Sequence, residues 1–241
     1  MEIPTEMQHQ AMGYDRAATM FSPDGHLLQV EYAEKTVRLG SSSVGLVCKD
    51  GILIIADKRI RDKLIASESA NKIFEVDEHI VTTAAGILSD ARILIDNAQV
   101  LAQQNRVTYD SPIEPISIIR MIADKKQMST QYGGMRPFGV AFLLGGVSNG
   151  QGHLYTTDVT GNFLSYKANA IGEHDEQIKE ELRKDFDASM SIEEGLKFIM
   201  QIFRRILGKN FDPARFDAGY VKLKEPKLVR LSGDDLKKYA K

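Results

Sequence analysis

Cysteine is nearly absent from this sequence of 241 residues, and tryptophan is missing altogether. The single cysteine, Cys48, cannot close an internal disulfide, which fits a reducing compartment. Its setting, Val44-Gly45-Leu46-Val47-Cys48, reads as a strand with a small core thiol. No apolar run approaches the ~20 residues of a membrane span. The first residues, MEIPTEMQHQAMGYDR, carry acids and no apolar core, so they do not read as a secretory signal. Excess charge is lacking too. With 31 Lys and Arg against 33 Asp and Glu, the formal net charge is −2. No global basic field therefore points to nucleic acid or to an anionic membrane surface. A cytoplasmic protein is expected.

The usual chemical motifs are also missing. The five histidines, His9, His26, His79, His153 and His174, stand far apart with no paired spacing, so no metal site and no cofactor is expected. No Gly-x-Ser-x-Gly elbow occurs. The glycine-rich run Leu144–Gly152 follows a strand but precedes another strand, not a helix N-terminus, and so reads as a hairpin turn instead of a phosphate loop.

What is present is an ordinary hydrophobic fraction of 43% in a distinct order of elements. Residues 1–13 are polar and without period, as expected of a mobile tail. After the turn Ser22-Pro23-Asp24-Gly25, the residues Leu27, Val30, Ala33 and Val37 recur at helical spacing, so a helix is expected at about residues 25–38, stopped by Gly40. Strands follow over Ser43–Cys48 and Ile52–Ala56, with Asp50-Gly51 predicting a type I′ turn between them. Two more are expected over Ile73–Val76 and Ile80–Ala84. Ser89 is the expected cap of a helix with Leu94, Ala98 and Leu101 on one face. A second helix should run Pro115–Gln131, with Ile118, Met121, Ile122 and Lys125 along one side. Strands then resume over Phe138–Leu144, His153–Asp158 and Phe163–Ala170, the last two joined at Thr160-Gly161-Asn162. Ile178, Leu182 and Phe186 mark another helix, and Ser191-x-x-Glu194 is a capping box opening the next, which carries Leu196, Ile199, Phe203 and Ile206. Strands around Ala218–Leu223 and Leu228–Leu231 precede a short charged C-terminal helix. Strands and helix pairs in alternating groups predict antiparallel sheets covered by helices in one domain, residues 14–241.

One segment could carry chemistry. In Gly40-Ser41-Ser42-Ser43-Val44-Gly45 a hydroxyl residue follows glycine at the start of a strand, as an N-terminal nucleophile would after self-cleavage, with its freed α-amine as base. Asp57 and Lys72 lie downstream on expected strand ends. The competing reading is that Ser41 merely begins a strand.

The triplet Tyr14-Asp15-Arg16 and the run from Phe21 to Ala33 (FSPDGHLLQVEYA) closely resemble the N-terminal signature of proteasome alpha subunits, the archaeal type most nearly. Lys72-Ile73-Phe74 and Gln131–Gly139 (QYGGMRPFG) agree with it. The resemblance implies an α+β fold, the four-layer αββα sandwich of the N-terminal-nucleophile hydrolase class. It also implies a seven-membered ring of alpha subunits stacked on proteasome beta subunits. Ser41 stands where the beta relatives have their threonine, behind a segment whose removal would delete the signature itself. Asp57 and Lys72 match the catalytic positions, but Glu173 falls where a supporting serine is expected, and Ala214-Arg215-Phe216-Asp217 replaces a Ser-Gly-Gly turn. The resemblance therefore implies no catalytic residue in this chain. A self-processing hydrolase using Ser41 is the alternative.

The resemblance further implies that residues 1–13 plug an axial pore and that Tyr14, Asp15, Pro23 and Tyr32 hold its open state. Tyr132, Gly133, Gly134, Met135 and Arg136 match a constriction through which unfolded polypeptide passes. Lys72, with Gly40 and Ile87, matches a pocket between neighbouring subunits that receives the C-terminal carboxylate of ATPase activators.

Overall fold

The computed structural model describes residues 11–59 and 64–240, so most of the expected tail, residues 1–10, lies outside the described residues. Two five-stranded antiparallel sheets face one another. The first has the order β10-β9-β2-β1-β8 and the second β3-β4-β5-β6-β7. The strands are β1 Ser43–Cys48, β2 Gly51–Asp57, β3 Phe74–Asp77, β4 Ile80–Gly86 and β5 Val140–Ser148, then β6 Gln151–Thr157, β7 Phe163–Tyr166, β8 Ala168–Ile171, β9 Phe216–Lys222 and β10 Leu228–Leu231. Helices α2 (Leu88–Tyr109) and α3 (Pro115–Gln131) cover the outer face of the second sheet; α4 (Asp175–Asp185) and α5 (Ile192–Leu207) cover that of the first. Helix α1 (Leu28–Leu39) packs across one end against β4 and β5, and α6 (Gly233–Leu236) closes the C-terminal side.

Three apolar layers follow from this stacking. Ile52, Ile54, Val81, Leu143 and Leu154 fill the space between the sheets. Leu46, Leu53, Leu196, Ile199 and Phe203 join the first sheet to its helices. Ile80, Leu94, Ile118, Ile122 and Phe142 do the same for the second. Strands buried on both faces read as continuous apolar runs, as in Ile52–Ala56, where every residue is buried. Cys48 lies in this interior, and burial, with the Asp50 and Glu194 charges, pushes its thiol up to about 12.

Several local expectations need correction. The β1–β2 turn is centred on Lys49-Asp50, with Cys48 opposite Gly51, and neither Asp50 nor Gly51 has positive φ. Gly51 is instead demanded by proximity, since a Cβ there would lie 2.1 Å from Val221 O. The type I′ geometry belongs to Asn149-Gly150 (φ 52° and 72°), which joins β5 to β6 within the run read as a hairpin turn. Phe138 precedes the strand: β5 starts at Val140 and runs on through Gly145 and Gly146, which let Ile52 and Pro115 approach the sheet. The expected strand Phe163–Ala170 is two strands in different sheets, and the chain crosses at Lys167, whose carbonyl accepts Val47 N–H at 2.8 Å. An extended run carries no period that marks such a crossing. Ser89 is no cap, because α2 starts at Leu88 behind Ile87. Phe186 terminates α4 in extended conformation. The capping box at Ser191 and Glu194 is present as expected.

The buried stripe of α3 is Ile118, Ile122 and Lys126, not the side that leads to Lys125. Lys126 is fully buried; its Nζ donates to Val140 O (2.8 Å) and Asp158 O (2.9 Å) and lies 4.9 Å from the Phe142 ring centre. Burial pushes its ammonium down to about 7, against a partial upward pull from Asp158. A folded-state value below the unfolded one means that the unfolded chain binds the extra proton between about pH 7 and 10. Stability should therefore rise with pH across that window relative to Lys126→Met, in which this part of the slope disappears. Chemical denaturation of both proteins at several pH values checks it, and parallel pH slopes would refute it.

Candidate functional site

At the end of α1, Gly40 turns the chain into the sheet interior. A Cβ at Gly40 would lie 2.3 Å from Gly86 N, and one at Gly172 would lie 2.6 Å from Ser41 O and 2.8 Å from Gly40 O. The Gly40–Ser41 peptide is thus held between two glycine backbones with φ of +114° (Gly86) and +91° (Gly172). Gly40 O also accepts Glu173 N–H at 2.7 Å.

Lys72 reaches this peptide from below. It is 3% exposed, and its Nζ donates to Ser41 O (2.9 Å) and contacts Ser41 Oγ (2.7 Å). Burial pushes its ammonium down to about 8, with Asp57 pulling up and Arg59 pushing down. Asp57 itself is taken by another partner: Arg215 Nε and NH2 donate to its two oxygens at 2.9 and 2.6 Å, and Arg59 N–H to Oδ1 at 3.0 Å. Glu173 is paired with Arg59. Lys58 pairs with Asp217 at 2.8 Å. The structure thus brings Ser41, Lys72 and Asp57 into one neighbourhood, while Arg215 holds the aspartate. That pairing spans 158 residues and leaves no local periodicity to read; the only sequence signal was the altered Ala214–Asp217 turn.

Gly86 leads directly to Ile87, so the three residues expected in a docking pocket, Lys72, Gly40 and Ile87, are linked through Ser41 and Gly86. Ile87 is half-buried, and its N–H donates to Gly139 O at 2.9 Å. Tyr14 and Asp15 sit in a 3-10 turn, Tyr14–Arg16, tied to α1 where Gln29 Nε2 donates to Asp15 O at 2.5 Å. Pro23 lies in a turn closed by Gly25 N–H on Ser22 O at 2.9 Å, and Tyr32 is on α1 with Lys35 Nζ 5.3 Å from its ring centre. Tyr132, Gly133, Gly134, Met135 and Arg136 form an exposed loop between α3 and β5, with Gly134 at φ +84°. A small depression of about 140 Å³ between Tyr32, Thr36, Ile87, Arg136 and Pro137 adjoins the root of that loop. Among the described residues no group of three or more His, Cys, Asp or Glu is placed to hold a metal, and no helix is long and apolar enough to cross a membrane.

Two facing antiparallel sheets between helix pairs, with a hydroxyl residue just before β1 beside a lysine and an aspartate, define the N-terminal-nucleophile hydrolase fold. Within that class, the family profile described as "Proteasome subunit" matches residues 37–221, and the profile for the N-terminal signature of A-type proteasome subunits matches residues 14–35. The chain is 42% identical over 228 residues to the proteasome alpha subunit of Archaeoglobus fulgidus, covering 95% of this chain and 92% of the relative. The corresponding protein of Methanosarcina acetivorans gives the same identity and coverage. That of Methanococcus maripaludis is 40% identical over 231 residues, covering 96% and 89%. The chain belongs to the proteasome subunit family and is of its alpha type, an alpha subunit of the proteasome core and so part of a protease complex that assembles with other proteasome subunits.

The Arg215–Asp57 pair is almost fully enclosed on the aspartate side. Arg215→Ala should therefore destabilise the protein by roughly 3 kcal/mol, since it strands a buried carboxylate. Adding Asp57→Asn should recover part of that loss, which a double-mutant cycle by denaturant titration measures. Strictly additive losses would show that the pair contributes nothing as a pair.

Proposed function

We propose that this chain is a non-catalytic subunit of the alpha ring, which gates substrate entry to the proteasome core and docks activators for protein degradation in the cytoplasm. The observation that carries this reading is the Arg215–Asp57 pair beside the tightly packed Gly40–Ser41 peptide. The Ser41 nitrogen is enclosed in a bond packed between the Gly86 and Gly172 backbones. Without a free α-amine, the hydroxyl lacks the base that this class of nucleophile uses. The partner of Asp57 is Arg215, which further removes the aspartate from such a role.

In this reading residues 14–241 form one domain, seven copies or paralogues form a ring, and beta subunits supply the catalytic threonines. Residues 1–13, of which 1–10 lie outside the described residues, plug the pore. Tyr14, Asp15, Pro23 and Tyr32 hold the plug aside through contacts between neighbours. The exposed loop from Tyr132 to Arg136 forms the constriction for unfolded polypeptide, with Met135, 46% exposed, as an adaptable apolar contact. Mixing the chain with a matching beta subunit should produce peptide hydrolysis that neither chain shows alone, and deletion of residues 1–12 should raise it severalfold. Equal rates with and without that deletion would sink the gating role.

Lys72 suits a carboxylate partner because no ion pair to it is present among the described residues and two of its three donors go to neutral oxygens of Ser41. Binding of a peptide with a free C-terminal carboxylate to assembled rings should be lost in Lys72→Ala. It should also weaken as pH rises through about 8, where the ammonium loses its charge. A C-terminally amidated peptide is the control. Equal binding of the two peptides, or unchanged binding by Lys72→Ala, would overturn the docking role.

The alternative, a self-processing hydrolase, draws support from one contact, the 2.7 Å approach of Lys72 Nζ to Ser41 Oγ. It requires hydrolytic activity from the chain in the absence of any beta subunit.

A further inference from the structure

The loop from Tyr132 to Met135 extends into solvent, with Tyr132 55% exposed and no atom within 4 Å of where a Cβ would stand at Gly133 or Gly134. Its two ends are anchored by hydrogen bonds. On the entering side Tyr132 N–H donates to Met128 O at 3.1 Å, continuing α3. On the leaving side stands Asp90, in the first turn of α2 and only 6% exposed. Arg136 NH1 and NH2 donate to Asp90 Oδ2 and Oδ1, both at 2.7 Å, and Gly139 N–H donates to Oδ2 at 3.0 Å. A carboxylate in the first turn of a helix ordinarily complements its own helix N-terminus. Asp90 instead commits both oxygens to a chain segment 46 to 49 residues away. Burial alone would raise its carboxyl, but the Arg136 hydrogen bonds and the Gly139 N–H outweigh this and hold it below the ordinary range.

Gly139 extends this anchorage. Its carbonyl accepts Ile87 N–H at 2.9 Å and Thr36 Oγ1 at 3.0 Å, so α1, the β4–α2 junction and the loop meet at one peptide. A Cβ at Gly139 would lie 2.7 Å from Thr36 Oγ1 and 2.8 Å from Ile87 Cδ1. One residue further on, Lys126 Nζ holds Val140 O.

We propose that Asp90 is a positioning residue for the constriction loop: its bidentate hold on Arg136 and its bond to Gly139 N–H set how far the loop from Tyr132 to Met135 projects, and thereby the width of polypeptide admitted. The proposal rests on the reading of that loop as a constriction. Bidentate guanidinium–carboxylate geometry suits the task, because it fixes direction as well as distance.

The test uses rings assembled with a matching beta subunit. Asp90→Asn keeps the size and removes the charge. Amide hydrogen exchange over residues 132–135 should then be roughly fivefold faster, as expected of a loop released from one anchor. Degradation of an unfolded chain carrying one internal disulfide, which must pass as two strands abreast, should rise relative to the same chain reduced. Hydrolysis of a short peptide should stay within about twofold, since narrow substrates do not sense the width. Met135→Gly tests the loop reading alone. If it shifts the ratio of disulfide-bearing to reduced substrate while Asp90→Asn leaves both that ratio and loop hydrogen exchange unchanged, the assignment of Asp90 is overturned. If neither variant shifts the ratio but Asp90→Asn speeds loop hydrogen exchange, Asp90 anchors a loop that is not the constriction, and the proposal fails through the underlying reading. Should Asp90→Asn rings not assemble, Arg136→Gln removes the same ion pair from its more exposed side and is expected to give the same two changes.

Discussion

The close approach of three backbones around the Gly40–Ser41 peptide is the constraint on which the other features depend. Gly86 and Gly172 both adopt positive φ there, and a side chain at Gly40, Gly86 or Gly172 would overlap backbone atoms. Through this junction α1 is delivered onto the end of the sandwich, β1 is launched into its interior, and Lys72 finds two oxygens of Ser41. Gly86 in turn abuts Gly139, since a Cβ on Gly86 would lie 2.1 Å from Gly139 O. The N-terminal helix, the candidate docking residues and the root of the exposed loop therefore share one packed core of main chain instead of separate local supports.

The polar groups nearby are arranged to hold this geometry. A fold that presents a hydroxyl, a lysine and an aspartate together carries the parts of a nucleophile site. Here Asp57 is taken by Arg215 and Glu173 by Arg59, while the hydroxyl and carbonyl of Ser41 are held by Lys72. Two buried lysines illustrate opposite uses of one residue type. Lys126 ties α3 to Val140 and Asp158 as a neutralisable clasp, with its Val140 carbonyl partner buried. Lys72 sits against Ser41 with its charge unmatched by a contacting carboxylate among the described residues.

Much of the architecture was legible because elements announce themselves locally. The apolar runs of β1 and β2, the proline at the start of α3 and the capping box of α5 each carry a short-range physical signal. The layer order was not legible from those signals and came from the likeness of residues 14–33 to a known signature. What pattern reading missed is non-local. Arg215 meets Asp57 and Asp90 meets Arg136 only after the sheets have stacked. The break between β7 and β8 is invisible to periodicity, because the chain stays extended on both sides of Lys167. Lys126 escaped because α3 buries positions four apart, 118, 122 and 126, whereas a step of three placed the stripe on Met121 and Lys125.

The segment from Tyr14 to Leu39 packs on the end of the sandwich and leads through Gly40 directly into Ser41. The most direct measurement is the intact mass of the chain recovered from active rings assembled with a beta subunit. Retention of residues 1–40 by the alpha chain, with cleavage confined to the beta partner, is the predicted result. A mass corresponding to a chain that begins at Ser41 would contradict the non-catalytic reading and make that serine a processed nucleophile.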